Sequence, residues 1–264
     1  MLRPRIIPCL LIRNGGLVKT IGFTEHKYVG DPINAVRIFN EKEADELMIL
    51  DIDATVGGIE PNFKLIAKLA AECRMPLCYG GGISHVEQVK RLVNIGVEKV
   101  AISSAAIARP TLVTEIAAAV GRQSMVVVLD VRKRVGMLST KYTICTHNAK
   151  KTNKNNLFSL IQELQQAGAG EIVINSVDRD GMMKGYDLEL AAQVSSIVEV
   201  PITLLGGAGS LEDLSDLFSS VGIVGGAAGS MFVFKGKYRA VLINYPTRTQ
   251  KNRVIHRMIE TMNK

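Results

Sequence analysis

Apolar residues along this chain alternate between two rhythms. Short, nearly continuous apolar runs at 5–12, 46–52, 76–79, 99–102, 124–131, 171–177, 201–205 and 221–224 have the length and bulk of strands buried on both faces. Between most of them the apolar positions recur every three or four residues. The clearest cases are PINAVRIFNEKEA (32–44) and HVEQVKRLVNIG (85–96), which predict amphipathic helices. Strand followed by helix, repeated to eight units, predicts an α/β fold, a single (β/α)8 TIM barrel. An open doubly wound sheet is the runner-up.

The chain also matches itself at about half its length. ADELMILDID (44–53) aligns with AGEIVINSVD (169–178), setting Glu46 against Glu171 and Asp53 against Asp178. MPLCYGGGIS (75–84) aligns with VPITLLGGAGS (200–210), and VEKVAISSAA (97–106) with VGIVGGAAGS (221–230). Such a period predicts two half-barrels, at about 1–120 and 121–240, because an isolated half would leave its sheet edges open. Residues 241–264 follow as a basic C-terminal tail. IIPCLLIRNG (6–15) and SMVVVLDVRK (124–133) align as well, and one position separates them: Leu11 in the first copy is Asp130 in the second.

The repeat places candidate chemistry. After the third strand of each half stands a glycine cluster, Gly80-Gly81-Gly82 or Gly206-Gly207-Ala208-Gly209. After the fourth comes a turn of small residues, Ser103-Ser104-Ala105 or Ala228-Gly229-Ser230. Glycines let backbone N–H groups approach an anion, and a following helix start favours negative charge. One cluster alone is more often a tight turn. Two, each followed by a serine-bearing turn, predict two phosphate sites on opposite sides of the mouth, with Gly82, Ser103 and Ser104 on one side and Gly207, Gly229 and Ser230 on the other. A small ligand with a phosphate at each end would span them.

Composition narrows the field. With 264 residues, 47% of them apolar, one large domain has ample core. No apolar run reaches the ~18 residues of a membrane span, and MLRPRIIPCLL reads as a first strand, not a signal peptide. The four cysteines, Cys9, Cys73, Cys78 and Cys145, have no metal-ligand spacing and suit buried thiols of a cytoplasmic protein. Neither a metal nor a cofactor is expected. The net charge of +7 gathers in KKTNK (150–154) and in the tail. Without aromatic interleaving or a nucleic-acid motif, it points to a phosphorylated metabolite or a partner protein, with no nucleic acid and no membrane.

RIIPCL, DELMILDI, GGGI, GAGEIVINSVDRDGMMKGYD and GGAG together resemble the cyclase subunit of imidazole glycerol phosphate synthase over nearly the whole chain, to about residue 235. The DRDG…GYD segment (178–187) is the most specific part. The resemblance implies the same barrel and a lyase/cyclase that takes ammonia from a glutaminase docked at the N-terminal face. Ammonia and a bis-phosphate substrate then become imidazole glycerol phosphate and an aminoimidazole carboxamide ribotide. It also implies two catalytic aspartates, at the ends of strands one and five, acting as general acid and base. Strand five supplies Asp130. Strand one has Leu11, which cannot titrate, and losing one such group typically costs ~10²–10⁴ in rate. Other departures agree: Ser103-Ser104 for the usual Asn-Thr, Leu205 for Ser and Asn175 for Thr. At the N-terminal ends of the strands the family carries a charged ammonia gate, which falls here on Arg5, Glu46, Lys99 and Glu171. A salt-bridge plug closing the barrel floor is the plainer reading of these four.

A barrel that keeps the ammonia entrance and loses half the cyclase machinery is similar to the divergent, glycosyl amidation-associated branch of the family. That branch implies ammonia supply to a separate sugar amidotransferase, which converts an acetamido group on a nucleotide-linked sugar to an acetamidino group in surface-polysaccharide synthesis. The ending AVLINYPTRTQK (240–251) is similar to it too. An authentic histidine-pathway cyclase that tolerates Leu11 is the alternative. A sugar-phosphate isomerase of the related barrel type would need both carboxylates and no gate. In the cyclase family the positions of Asp51 and Lys19 stand near the substrate. Asp51, at the end of strand two, is a catalytic candidate beside Asp130, since a strand-end Asp in a barrel is more often functional than structural. Lys19 reads equally as a solvated loop charge. Asp180 and Gly181 read either as a turn or, by the DRDG match, as part of a phosphate loop. THNAKKTNKNN (146–156) reads as a mobile mouth loop, with His147 exposed. Ile255, Met258, Ile259 and Met262 form a helical stripe that would pack on the barrel or on a partner.

Overall fold

A computed structural model describes residues 3–136 and 140–262. The Met1-Leu2 start of the first-strand segment lies outside the described residues. Eight strands form the central sheet: β1 (Arg5–Arg13), β2 (Leu47–Asp51), β3 (Leu77–Gly80), β4 (Lys99–Ile102), β5 (Met125–Val135), β6 (Glu171–Ser176), β7 (Ile202–Leu205) and β8 (Gly225–Ala228). Each pairs in parallel with the next, and β8 pairs in parallel with β1, so the sheet closes. Helices α1 (Pro32–Glu41), α2 (Phe63–Glu72), α3 (Val86–Asn94), α4 (Thr111–Val120), α5 (Leu157–Gln166), α6 (Leu188–Ser195), α7 (Leu211–Val221) and α8 (Arg248–Met262) follow the strands in turn. The chain is a single (β/α)8 TIM barrel.

Local chemistry starts these helices where the periodicity begins. Asp31 accepts from Asn34 N ahead of Pro32, Asn62 caps α2, Asn156 caps α5 and Asp187 caps α6. Each satisfies backbone donors that the first turn leaves open. The apolar faces bury one core between sheet and helices and a second inside the barrel. The inner core comprises Ile7, Cys9, Met48, Cys78, Ala101, Val126, Val128, Val173, Leu205 and Ala227, with Leu11 and Leu50 against it. All four cysteines are free thiols, and Cys9, Cys78 and Cys145 are buried.

One strand assignment and one repeat alignment from sequence need correction. The run 221–224 is not the eighth strand: Val221 ends α7, and β8 is the glycine-rich Gly225–Ala228. Packing makes this strand small. A Cβ on Gly225 would meet Thr203 Oγ1 at 2.0 Å, and one on Gly226 would meet Leu214 at 2.5 Å. The gapless match of 97–106 with 221–230 is therefore two residues out. Ser104 and Ser230 both open short helices, Ser104–Ala108 and Ser230–Val233, which puts Lys99 opposite Gly225.

The stripe on α8 faces the barrel. Val254 and Met258 are buried, and Ile255 and Ile259 pack against the main core; the Met262 side chain lies outside the described residues. Arg257 binds Glu212 and lies 3.7 Å from Asp216 on α7, while Lys251 reaches Asp45 at 2.7 Å. Among the described residues, no helix is long and apolar enough to cross a membrane.

Gly225→Ala is expected to destabilise the barrel by about 1–3 kcal/mol through overpacking against Thr203. The check is a lower urea midpoint at unchanged denaturant dependence.

Candidate functional site

The C-terminal ends of the strands open into a cavity of ≈ 580 Å³, where barrels of this kind carry their chemistry. Its two halves differ in polarity. In the second half Asn175 lies in register with Asp130 and donates from Nδ2 to Asp130 Oδ1 at 2.8 Å. The corresponding register pair of the first half is Leu11 and Leu50. One wall is thus a carboxylate held by an amide, and the facing repeat is two isobutyl groups. Burial pushes the Asp130 carboxyl up to about 6, against the Asn175 hydrogen bond and with help from Asp180. Asp130 is half-buried: its carboxylate sits below the rim but faces open cavity.

Lys19 is not a solvated loop charge. It ends the strand Gly16–Lys19, which folds back on β1, and it is 5% exposed. Its Nζ donates to the Cys9 carbonyl at 2.5 Å. A Cβ on Gly229 would meet this ammonium, so the glycine leaves room for it. Burial holds the Lys19 ammonium below its usual range, opposed by Asp180. The Asp180 carboxylate accepts from Thr20 Oγ1 at 2.5 Å and from Phe23 N at 3.2 Å. A carboxylate committed to these donors pins the β1 loop to the β6 loop and is poorly suited to meeting a phosphate. Gly181 packs directly on the Thr20 carbonyl. Asp51 lines the cavity, and its Oδ1 accepts from Asp53 N and Ala54 N at 3.0 and 3.1 Å; burial raises its pKa.

The glycine clusters border the same cavity, together with Ser103, Ser104 and Ser230. Gly82 has φ +72, and a Cβ there would meet the Ile59 carbonyl at 2.4 Å, so the turn admits only glycine. Two polar atoms at the cavity are buried with no hydrogen-bond partner: Ser103 Oγ and Asn175 Oδ1. Each such atom costs about 1–3 kcal/mol when left unmet. Among the described residues no three His, Cys, Asp or Glu side chains converge on a metal-sized site.

The segment 146–156 is not a loose loop. β5 continues as a hairpin with Thr140–Thr146, which pairs in turn with Lys151–Asn153. His147, Asn148 and Ala149 form the tight corner, all with positive φ. His147 is half-buried and lines the cavity, not exposed. Asn148 Nδ2 donates to the Ile52 carbonyl at 2.7 Å, joining the β5 excursion to the β2 loop. Sequence reasoning missed Asn148 and the Asn175 tie to Asp130; the matched repeat positions were the only available signal for the latter.

At the opposite end, the four floor residues meet in one cluster. Arg5 reaches Glu46 at 2.5 Å and Glu171 at 2.8 Å; Lys99 reaches the same two carboxylates at 2.9 and 2.8 Å. Thr203 Oγ1 donates to Glu171 at 2.6 Å. The carboxylates are buried, while the Arg5 and Lys99 side chains keep 27% and 20% exposure, so the cations form the outer lip. Burial disfavours every charge here. The ion pairs outweigh it, raising the pKa values of Arg5 and Lys99 and lowering that of Glu171.

The profile of the histidine biosynthesis protein family matches residues 5–239. A protein of Leptospira borgpetersenii named "Putative imidazole glycerol phosphate synthase subunit HisF" is 54% identical over 251 residues, 95% of this chain and 98% of that protein. One of the same name in Leptospira interrogans is 52% identical over 97% of this chain and its own full length. The "Imidazole glycerol phosphate synthase subunit HisF" of Hyphomonas neptunium is 41% identical over 89% of this chain and 91% of that protein.

Two outcomes follow from the geometry. Because Asp130 holds its proton to about pH 6 while an unfolded Asp releases it near ~3.9, the native state binds more protons between those values. Its contribution to stability is therefore lost as pH rises through that window. Asp130→Asn is expected to lose less stability than wild type between about pH 4 and 7, and parallel urea-midpoint profiles would contradict this. Arg5→Met leaves Lys99 alone against two buried carboxylates and is expected to cost about 3–5 kcal/mol at neutral pH, measured by the same denaturation.

Proposed function

This chain belongs to the histidine biosynthesis protein family, among the HisF-like subunits of imidazole glycerol phosphate synthase, and from that membership we propose that it receives ammonia and hands it on instead of cyclising with it. In this reading a glutaminase docks against the floor, around Arg5 and Lys99. Ammonia crosses the floor cluster as the neutral molecule, since an ammonium ion would have to shed its hydration and pass two cations. The interior above the cluster is lined by aliphatic side chains and small ones such as Ala101 and Ala227, which suit an uncharged solute. The ammonia leaves at the mouth for a sugar amidotransferase of surface-polysaccharide synthesis, which activates the acetamido oxygen of a nucleotide-linked sugar with a nucleoside triphosphate. Ammonia adds to that carbon and the oxygen departs with the transferred phosphoryl or nucleotidyl group, leaving an acetamidino group.

The observation that carries this reading is the Leu11–Leu50 register pair. Ring closure needs one group to take a proton while another gives one. Asp130, with its pKa near neutrality, remains fit for one of these roles. Leu11 has no proton to exchange, and Leu50 beside it offers no substitute. The greater identity to the subunits with the qualified name than to the Hyphomonas subunit fits a divergent branch. The phosphate-binding part of the proposal assigns one end of a ligand to Gly82, Ser103 and Ser104 and the other to Gly207, Gly229 and Ser230, with Gly181 beside it. Lys19 and Asp51 flank the bound ligand.

A second reading, an authentic cyclase, draws on Asp130 and on the orphaned Ser103 and Asn175 atoms. The two separate in one assay: purified protein, the bis-phosphate substrate and excess ammonium at high pH, without glutaminase. Turnover is expected to lie ~10²–10⁴-fold below that of an ordinary cyclase and to rise in Leu11→Asp. Wild-type turnover within about tenfold of an ordinary cyclase would favour the second reading, since a missing acid–base partner should cost more.

A further inference from the structure

The large apolar side chains left exposed are not scattered over the barrel. Of nine among the described residues, six stand on excursions beyond the C-terminal ends of the barrel strands: Tyr28 on the short strand Lys27–Gly30, Val56 and Ile59 after β2, Val135 at the far end of the β5 hairpin, Met182 after β6 and Tyr238 after β8. Val241 and Leu242 lie on the chain returning from β8, and Ile223 alone precedes a strand. Single exposed apolar residues are ordinary; their gathering on one rim is not. Tyr238 and Val135 are the most open, at 88% and 80% exposure. The turn bearing Tyr238 is held at the rim by Arg239, which donates to the Gly181 carbonyl at 2.9 Å, and by Lys27, which donates to the Arg239 carbonyl.

Charge gathers on the same rim. Residues 131–156, the excursion after β5, carry seven Lys and Arg and no Asp or Glu, in a chain of net charge +7. Arg132 and Lys133 face carboxylates at Asp178, Asp187 and Glu189. Among the described residues Arg134, Lys141, Lys150, Lys151 and Lys154 make no ion pair, and all five are exposed. Arg134 lies directly across from Lys141 in the hairpin register. A like-charge cross-strand pair is unfavourable, so the barrel itself gains nothing from it.

We infer that the mouth rim is a protein-docking surface, and that its partner is the ammonia-consuming enzyme, seated through an acidic face on the β5 hairpin and through apolar contacts on Tyr238 and Val135. This rests on the ammonia-transfer reading above. Charge complementarity selects an acidic partner. A second copy of this chain would bring seven cations against seven. A consumer sealed over the mouth also keeps neutral ammonia out of bulk water, where most of it would become ammonium at neutral pH.

The test is a three-protein reconstitution of this chain, its glutaminase and the purified sugar amidotransferase. Binding is read by sedimentation velocity, and amidination of the nucleotide-linked sugar, with a nucleoside triphosphate present to activate the acetamido oxygen, is supplied with nitrogen either from glutamine or from ammonium chloride. Two variants probe the rim outside the cavity: Lys141→Glu with Lys150→Glu and Lys154→Glu, and Val135→Ser with Tyr238→Ser. Each is expected to weaken binding and to cut glutamine-driven amidination by about tenfold or more, the charge variant mimicking added salt. Ammonium-driven amidination and glutaminase stimulation stay unchanged. Variants that bind and transfer like wild type overturn the docking surface and leave the transfer reading standing. A wild-type complex that binds the amidotransferase through the rim but yields no glutamine-driven amidination upholds the surface and sinks the transfer reading. Self-association of this chain that the same substitutions abolish, with no amidotransferase bound, assigns the rim to a second copy and overturns the inference.

Discussion

Two buried carboxylates at the barrel floor, each bridged by both Arg5 and Lys99, set the terms for the rest of the molecule. Glu46 belongs to the first half of the chain and Glu171 to the second. Both cations come from the first half; Gly225 stands where the repeat would have placed another Lys99. The second half cannot bury Glu171 alone, since an unpaired buried carboxylate would cost several kcal/mol, and the first half alone would set two cations against the single carboxylate of Glu46. Closure of the barrel and neutralisation of its floor are therefore one event. The strands that bring the charges together also fix the register of the side chains at the far end, from Leu11 and Leu50 on one side to Asp130 and Asn175 on the other.

That register turns a half-chain repeat into an asymmetric mouth. The two halves share glycine turns and serine-started short helices, so the cavity keeps matched polar margins. Between them the walls differ: one half is apolar, and the other holds a carboxylate whose proton is available near neutrality. Loops from both halves close around this arrangement. Asp180 ties the β6 loop to Thr20 and Phe23, and Asn148 ties the β5 hairpin to Ile52. Lys19 is held beneath, in space that Gly229 leaves open. The cavity is thus shaped by contacts that run across the repeat.

The floor, the interior and the rim form a sequence along the barrel axis. The floor is charged, the interior is apolar with several small side chains, and the rim is basic with exposed aromatic and aliphatic groups. A protein whose chemistry ended inside its own cavity would need no adhesive rim. In the proposed transfer role a partner would sit at each end, and the two ends differ in charge: mixed ion pairs at the floor and, among the described residues, unpaired cations at the rim.

The sequence alone determined the strand–helix alternation, the barrel, and the exchange of Asp130 for Leu11. These are written in periodicity and in residue type, which act over a few neighbours or over an exact repeat. The eighth strand was misplaced because the apolar run 221–224 outweighed the glycines of 225–228; only the closeness of Thr203, Leu214 and Phe218 shows why β8 must be small. The basic segment after β5 reads as loop because its polar and basic composition hides a hairpin, in which Thr140–Thr146 is buried only at its last three residues and Lys151–Asn153 is largely exposed. The burial of Lys19, the use of Asp180 as a tether and the grip of Asn175 on Asp130 were decided by tertiary structure. Asp180 and Asn175 reach partners 160 and 45 residues away, and Lys19, bonded to Cys9 ten residues back, fits only because Gly229 lacks a Cβ; contacts across such distances leave no local pattern to read.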